Sequence, residues 1–487
     1  MGFKADLSFL SKLTMGATAT RAVIDFLRGA GFSPVELERY STSNKIWTTK
    51  VKRLRLPDVL CIRTGLRVEV RGKSKLEIKM SHSPNVPERH WDSGLRDEDL
   101  VALVPCRDLG DRIEIRGNST YLTVAAMRAA AATAKLGPPK SASEGAERDL
   151  TWPSVLPTGD GLVSGVDGLR LRVRFRSGRN HSFPLTGKHA YLGEGDNFTE
   201  GVTILASTVA NSANLPAYLR QAWDPLGDLH AGDAADRYAA AKALGHLPTL
   251  AATRAALEAA LTAETEHRTA LEVAGAAARQ GSELGLTRLR EAVFDPVEGS
   301  PGYLPMEAVF ILSELASPTA SRVLEEIAAS DSFRGNELRQ AAAWGLGKKG
   351  GRQYDRLVQF LGDAEDDFTM HVIAAFGGDA PVGVVRQLVE VVRSDAEDRG
   401  RASAAAALGM IGTTVVAQEV LAALQARPNP WLLAVFGRLP EACVRELVVP
   451  QAIEAAIEPL RVLGADRNWL APTAASTNFN FLVQQSL

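Results

Sequence analysis

One short stretch of this chain spaces its charged residues in a way that could do chemistry. Pro57-Asp58 opens a short apolar run through Ile62, with an acid at its mouth. Thr64-Gly65 is a turn signal. The return run, Val68 to Lys79, alternates: Glu69, Arg71, Lys73, Lys75, Glu77 and Lys79 take the odd positions, and the even positions are mostly apolar. On one unbroken strand all six would project from the same face. Asp58 and Glu69 would then stand on the two strands of a tight hairpin. Two carboxylates so placed can share a hard cation, Mg²⁺ or Mn²⁺ in its place, and leave sites for a phosphate oxygen and a water. A nearby cationic side chain stabilises negative charge developing at phosphorus. Those are the requirements of phosphodiester hydrolysis. The bland alternative is an amphipathic strand with a solvated charged face.

The elements that must hold these residues are legible around them. Thr18 to Ala30 has helical periodicity and stops at Gly29-Ala-Gly31. Phe32 to Tyr40 reads as a strand. Lys45 to Arg55 is an extended stretch dense in bases, with Lys50, Lys52, Arg53 and Arg55. A polar loop with His82, His90 and Trp91 follows the charged run. Leu100 to Val104 then reads as a buried strand and Val124 to Ala134 as a closing helix.

This order of helix, strands, hairpin, strand and helix resembles the PD-(D/E)xK, or restriction-endonuclease-like, nuclease superfamily over roughly the first 130 residues. The family motif is an Asp, often after Pro, then a Glu or Asp on the next strand, then a Lys two residues later. Pro57-Asp58 and Glu69 match the first two elements. The third departs, because Arg71 stands in the lysine slot and Lys73 lies two residues beyond. Glu77-Ile78-Lys79 is a second frame that fits the motif literally at a longer distance from Asp58. The first helix offers Thr18, Thr20 and Asp25 where several relatives carry a Glu. The resemblance implies Asp58 and Glu69 as metal ligands and Asp58, Glu69, Arg71 and Lys73 as the catalytic set. Arg keeps its proton near neutral pH, so Arg71 suits charge stabilisation and Lys73 suits work on the attacking water. Lys50, Lys52, Arg53, Arg55, Lys75 and Lys79 would contact DNA.

Residues 136–150 are rich in Pro, Gly and Ser and read as a linker. Residues 151–215 read as a small β-rich domain. Within it Leu169 to Arg176 alternates strictly, so Arg170, Arg172, Arg174 and Arg176 share one strand face that could follow a phosphate backbone or could be merely solvated. Residues 216–487 repeat an alanine-rich phrase ending at or near glycine, as in Asp236–Gly245, His267–Gly275, Leu338–Gly347 and Arg401–Gly409. The period of roughly 30–36 residues is that of solenoids. Six such phrases resemble HEAT repeats; the alternative is an irregular helical bundle. A solenoid implies a surface for a protein partner.

Charge divides along the same lines. Residues 1–137 carry about +8, residues 138–215 about 0, and residues 216–487 about −10. A basic head suits a polyanion and a large acidic body does not. No run approaches the ~20 apolar residues of a membrane helix, and the first residues lack a secretory apolar core. Three cysteines without a CxxC point to a reducing cytoplasm. No phosphate-binding loop, dinucleotide fingerprint, zinc constellation or GxSxG elbow is present.

The expected fold is therefore multi-domain: an N-terminal α/β restriction-endonuclease-like domain (1–135), the linker, the β-rich domain and a C-terminal all-α HEAT-like solenoid. The expected function is a Mg²⁺-dependent DNA endonuclease-like effector with a protein-binding array, suited to bacterial anti-phage defence or DNA repair. The alternative is a non-catalytic nucleic-acid-binding scaffold with a degenerate nuclease fold.

Overall fold

A computed structural model describes residues 7–37, 47, 49, 54–110, 112–141, 146–348, 353–394 and 397–465. The chain has an N-terminal region of mixed sheet and a C-terminal region of helices. Contacts divide it into two compact units. One is chiefly Ser11–Thr42 with Arg53–Pro248, the other chiefly Thr249–Ser486.

The first unit opens with α1 (Leu7–Gly29), β1 (Pro34–Glu36), β2 (Val59–Cys61), β3 (Arg67–Lys73), β4 (Lys79–His82), β5 (Leu100–Asp108), β6 (Ile113–Ile115), β7 (Thr120–Thr123) and α2 (Val124–Ala129). The main sheet runs β1-β2-β3-β5-β6, with β7 also on β5. β1, β2 and β3 are antiparallel neighbours, whereas β5 is parallel to β3. β5 is apolar on both faces because both are covered. Leu100, Ala102 and Val104 pack with Val23, Ile24 and Leu27 of α1. Val101 and Leu103 pack with Met127 and Trp152 on the other side. α1 buries Leu13, Ala17, Ile24 and Leu27 at helical spacing.

β3 alternates as its sequence does. Val68 and Val70 join the α1 side, and Gly72 is where α1 comes closest, near Met15 and Ala19. Arg67, Glu69, Arg71 and Lys73 take the other side. The strand ends at Lys73, and β4 belongs to a different sheet, so the charged run through Lys79 is not one strand. The chain turns away because β4 pairs with β9 (Arg148–Thr151), which pairs in turn with β8 (Lys135–Pro139). Residues 136–150 therefore contribute a strand pair, not the bare linker expected.

The β-rich segment continues with β10 (Ser154–Val155), β11 (Gly161–Val166), β12 (Arg170–Phe175), β13 (Asn180–Pro184), β14 (His189–Ala190), β15 (Asn197–Phe198) and β16 (Ala206–Ser207). Its larger sheet has the order β13-β12-β11-β15. α3 (Leu215–Leu219), α4 (Pro225–Asp228) and α5 (Ala234–His246) follow. They belong to this unit, which extends past the boundary expected at residue 216. The reason is apolar: Tyr238, Ala239 and Ala243 of α5 share a buried cluster with Leu37, Leu56, Leu60 and Ile62.

Arg67 fixes this arrangement. Its guanidinium is 2% exposed and meets Asp99, equally buried, at 2.9 Å (Nε–Oδ1) and 2.6 Å (Nη2–Oδ2). Nη1 reaches Asp236 of α5 at 3.2 Å, and Arg96 also pairs with Asp236. Asp99 accepts the Arg96 N–H at 2.8 Å. One buried cation thus ties β3, the loop before β5 and α5.

The second unit begins with α6 (Ala251–Ala263), and its repeated phrases fall on α7 (His267–Arg279), α9 (Leu304–Glu314), α11 (Glu337–Leu346), α13 (Asp366–Ala374) and α15 (Asp398–Ile411), separated by α8 (Glu283–Phe294), α10 (Pro318–Ala329), α12 (Tyr354–Phe360) and α14 (Val382–Arg393). Each packs on the next phrase helix and most also on the helix between. Glycine permits the close approach: a methyl at Gly345 of α11 would overlap Ser313 Oγ of α9. No helix among the described residues is long and apolar enough to cross a membrane.

Two outcomes test this packing. Gly345→Ala gains up to about 1 kcal/mol of helix propensity but overpacks the interface, so denaturant unfolding should show a net loss, on a scale of about 1–3 kcal/mol for overpacking. Arg67→Met leaves Asp99 buried and alone and should cost about 3–5 kcal/mol. The double change Arg67→Met/Asp99→Leu should recover most of that loss in the same measurement.

Candidate active site

Asp58 stands one residue before β2. The β2–β3 register sets Val59 opposite Val68 and Leu60 opposite Arg67. Continued by one residue, it sets Asp58 opposite Glu69. Asp58 Oδ2 accepts the Val70 N–H at 2.8 Å, which anchors the carboxylate to the neighbouring strand. Glu69 pairs with Arg71 on the same face of β3. Asp58, Glu69 and Arg71 all line one polar cavity of about 210 Å³.

The rest of its wall comes from segments distant in sequence. Ser81 enters from β4, and Arg89, His90, Trp91, Ser93 and Leu95 from the loop before β5. Glu147 enters just before β9, and Arg55 and Leu56 precede Asp58. The loop is well held. Trp91 packs edge-on against buried Trp152 at 5.1 Å, and the Trp91 backbone N–H donates to His82 Nδ1 at 3.2 Å. The His82 and His90 rings lie 4.8 Å apart. Arg55 is the sole non-glycine residue with positive φ (57°) among the described residues. Gly94, itself at φ 78°, packs directly on the Arg55 carbonyl, where any Cβ would overlap it. A left-handed arginine is strained, and such strain persists where neighbours impose it. Here it places Arg55 at the cavity.

Three guanidinium groups (Arg55, Arg71, Arg89) face three carboxylates (Asp58, Glu69, Glu147) in the lining. Burial works against the Arg71 charge, but Glu69, Asp58 and Glu147 outweigh it and raise its pKa, so Arg71 stays cationic. Burial likewise disfavours the Glu147 carboxylate. Hydrogen bonds from Lys140 at 2.6 Å and Ser81 at 2.8 Å reverse this and lower its pKa.

Lys73 is not in this lining. Its ammonium donates to the Lys79 carbonyl oxygen. Burial, reinforced by Arg71 and Lys79, pushes it down to about 8. The later frame lies elsewhere too: Glu77 pairs with Lys75 at 2.7 Å and Lys79 at 3.7 Å, and Lys79 meets Asp149 at 3.5 Å. Lys50, Lys52 and Arg53 fall outside the described residues. Arg170, Arg172 and Arg174 project from β12, with Arg176 just beyond it. Sequence reasoning had no signal for Ser81 or Glu147, because their approach depends on β4 pairing with β9, nor for Arg89, which lies in the loop anchored through Arg96, Asp99 and Arg67.

Asp58 and Glu69, set opposite each other by the β2–β3 register, are the two carboxylates of the lining that could share a hard cation. Among the described residues no group of three or more His, Cys, Asp or Glu could hold a metal by itself. Compared with protein families and with curated proteins, the chain matches none of them.

Lys73 gives the fold a measurable pH signature. Below about pH 8 it is protonated in both folded and unfolded chains, and the folded state bears the cost of a buried charge. Between about 8 and 10.5 the unfolded chain binds more protons, so stability should rise with pH across that window. Lys73→Met should raise stability at pH 7 and flatten the rise, as read by urea unfolding at pH 7, 8, 9 and 10.

Proposed function

We propose that the first unit is a Mg²⁺-dependent nuclease of the PD-(D/E)xK type, acting on DNA. The observation that carries this is the convergence of Asp58, Glu69 and Arg71 on one cavity, with the two carboxylates on register-matched strands. The strand order supports it: a helix packs on an antiparallel β1-β2-β3 meander, and β5 returns parallel to β3. Bound by Asp58 and Glu69, the metal would supply Lewis acidity and positive charge. Asp58 is pre-oriented by the Val70 amide. Arg71 supplies permanent positive charge where negative charge develops on the phosphate oxygens, and Arg55 and Arg89 of the same lining would add to it. With Lys73 turned to the Lys79 carbonyl, the family's lysine position falls to Arg71. The cavity's own charges balance, so cation and phosphate binding should reinforce each other.

The helical unit is read as a HEAT-like solenoid that binds a protein partner. Neighbour-to-neighbour packing of its helices supports that, and its net acidity argues against DNA.

A second reading has its own support. The Glu69–Arg71 ion pair occupies one of the two metal carboxylates, which favours a non-catalytic nucleic-acid-binding scaffold.

The two readings part in one experiment. Asp58→Asn and Glu69→Gln should abolish Mg²⁺-dependent DNA cleavage and preserve DNA binding measured in Ca²⁺. Arg71→Ala should slow cleavage about 10²–10³-fold, the scale of a lost preorganised donor. Lys79→Met should leave cleavage intact. Wild-type protein that binds DNA and never cuts it with Mg²⁺ or Mn²⁺ would establish the scaffold instead.

A further inference from the structure

We infer that the outer face of the β13-β12-β11-β15 sheet is a second nucleic-acid surface, one that grips the phosphodiester backbone without reading bases. It rests on the reading above only in naming nucleic acid as the polyanion.

Alternation on β12 is complete. Leu171, Val173 and Phe175 are buried in a core with Val163, Phe198 and Leu205. Arg170, Arg172 and Arg174 are exposed on the opposite face. Their neighbours across the sheet are uncharged: Arg174 lies between Leu162 and Asn180, and Arg172 opposite Ser182. The outward positions of β11, β12 and β13 thus hold three arginines, no acid and no aromatic ring. Alternate residues on a strand repeat at about 7 Å. Three guanidinium groups in line at that step can follow successive phosphates.

The existing partners of these arginines are weak competitors. Arg172 pairs with Asp167 in the adjoining turn, and Arg176, just past the strand, meets Asp160 at 3.5 Å. Both pairs are substantially solvent-exposed, and exposed pairs are weak. Arg170 donates to Ser182 Oγ at 2.7 Å, which orients the guanidinium without neutralising it. Arg174 has no acidic partner among the described residues. Without outward aromatics there is no platform for base stacking, so the contact should be electrostatic and sequence-tolerant.

The test uses the full chain and a labelled mixed-sequence oligonucleotide in Ca²⁺ across a salt series. Combining Arg170→Gln, Arg172→Gln and Arg174→Gln should leave the melting temperature unchanged and weaken binding. The slope of log K against log salt should become shallower by about 2–3, the value for three lost phosphate contacts. Asp58→Asn/Glu69→Gln is scored by cleavage alone, so it tests the cavity and not this surface. Failure of that cavity variant to change cleavage would therefore count against the nuclease reading and leave this surface standing. Unchanged affinity and slope in the triple variant would overturn the proposal. So would tighter binding of poly-glutamate than of the oligonucleotide at equal salt, which would make the face a dock for acidic protein.

Discussion

A guanidinium with almost no access to water constrains everything around the cavity. Arg67 lies on the same face of β3 as Glu69 and Arg71, so burying it forces a decision about what covers that face. Asp99 and Asp236 answer its charge from the loop before β5 and from α5. Neither ion would be tolerable alone at that depth, so the pair acts as an orientation device more than a source of net stability. Because Arg96 joins the same acids, the end of the loop is pinned near the β3 face. Arg89, His90 and Trp91 are carried by that pinned loop. The cavity wall is in this sense a consequence of how one arginine is neutralised.

The same face changes character along its length. At Arg67 it is dry and fully paired. At Glu69 and Arg71 it opens into a polar cavity. At Lys73 it closes again, and the ammonium turns to a backbone carbonyl. An alternating charged strand therefore meets three different environments within seven residues, and only the central two line the cavity. Charge is balanced in that space, with three arginines and three carboxylates in its lining.

Much of the architecture was legible beforehand for physical reasons. Periodicity marks α1 and the phrase helices because a helix buries one stripe, and strict alternation marks β12 because its sheet is wet on one side. The antiparallel β2–β3 pair and the opposed positions of Asp58 and Glu69 follow from a turn signal and a spacing of eleven residues. The break after Lys73 was not legible, because the alternation continues through Lys79 while the chain changes sheets. Only the pairing of β4 with β9 reveals it, and that pairing joins residues about 70 apart.

Local pattern, then, determined which residues of this protein are charged, which are buried and which short segments pair with their neighbours. Tertiary structure decided which charges meet. Glu147 reaches the cavity because residues 136–150 fold into strands, and Arg89 reaches it because Arg67 and Asp99 hold its loop. Lys73, which the sequence places on the same charged face as Glu69 and Arg71, is withdrawn by the turn into β4. The physical reason is range. Periodicity reports the environment of a residue one or two turns or strand steps away. The partners of a buried charge are chosen by long-range packing, and nothing in the local sequence encodes them.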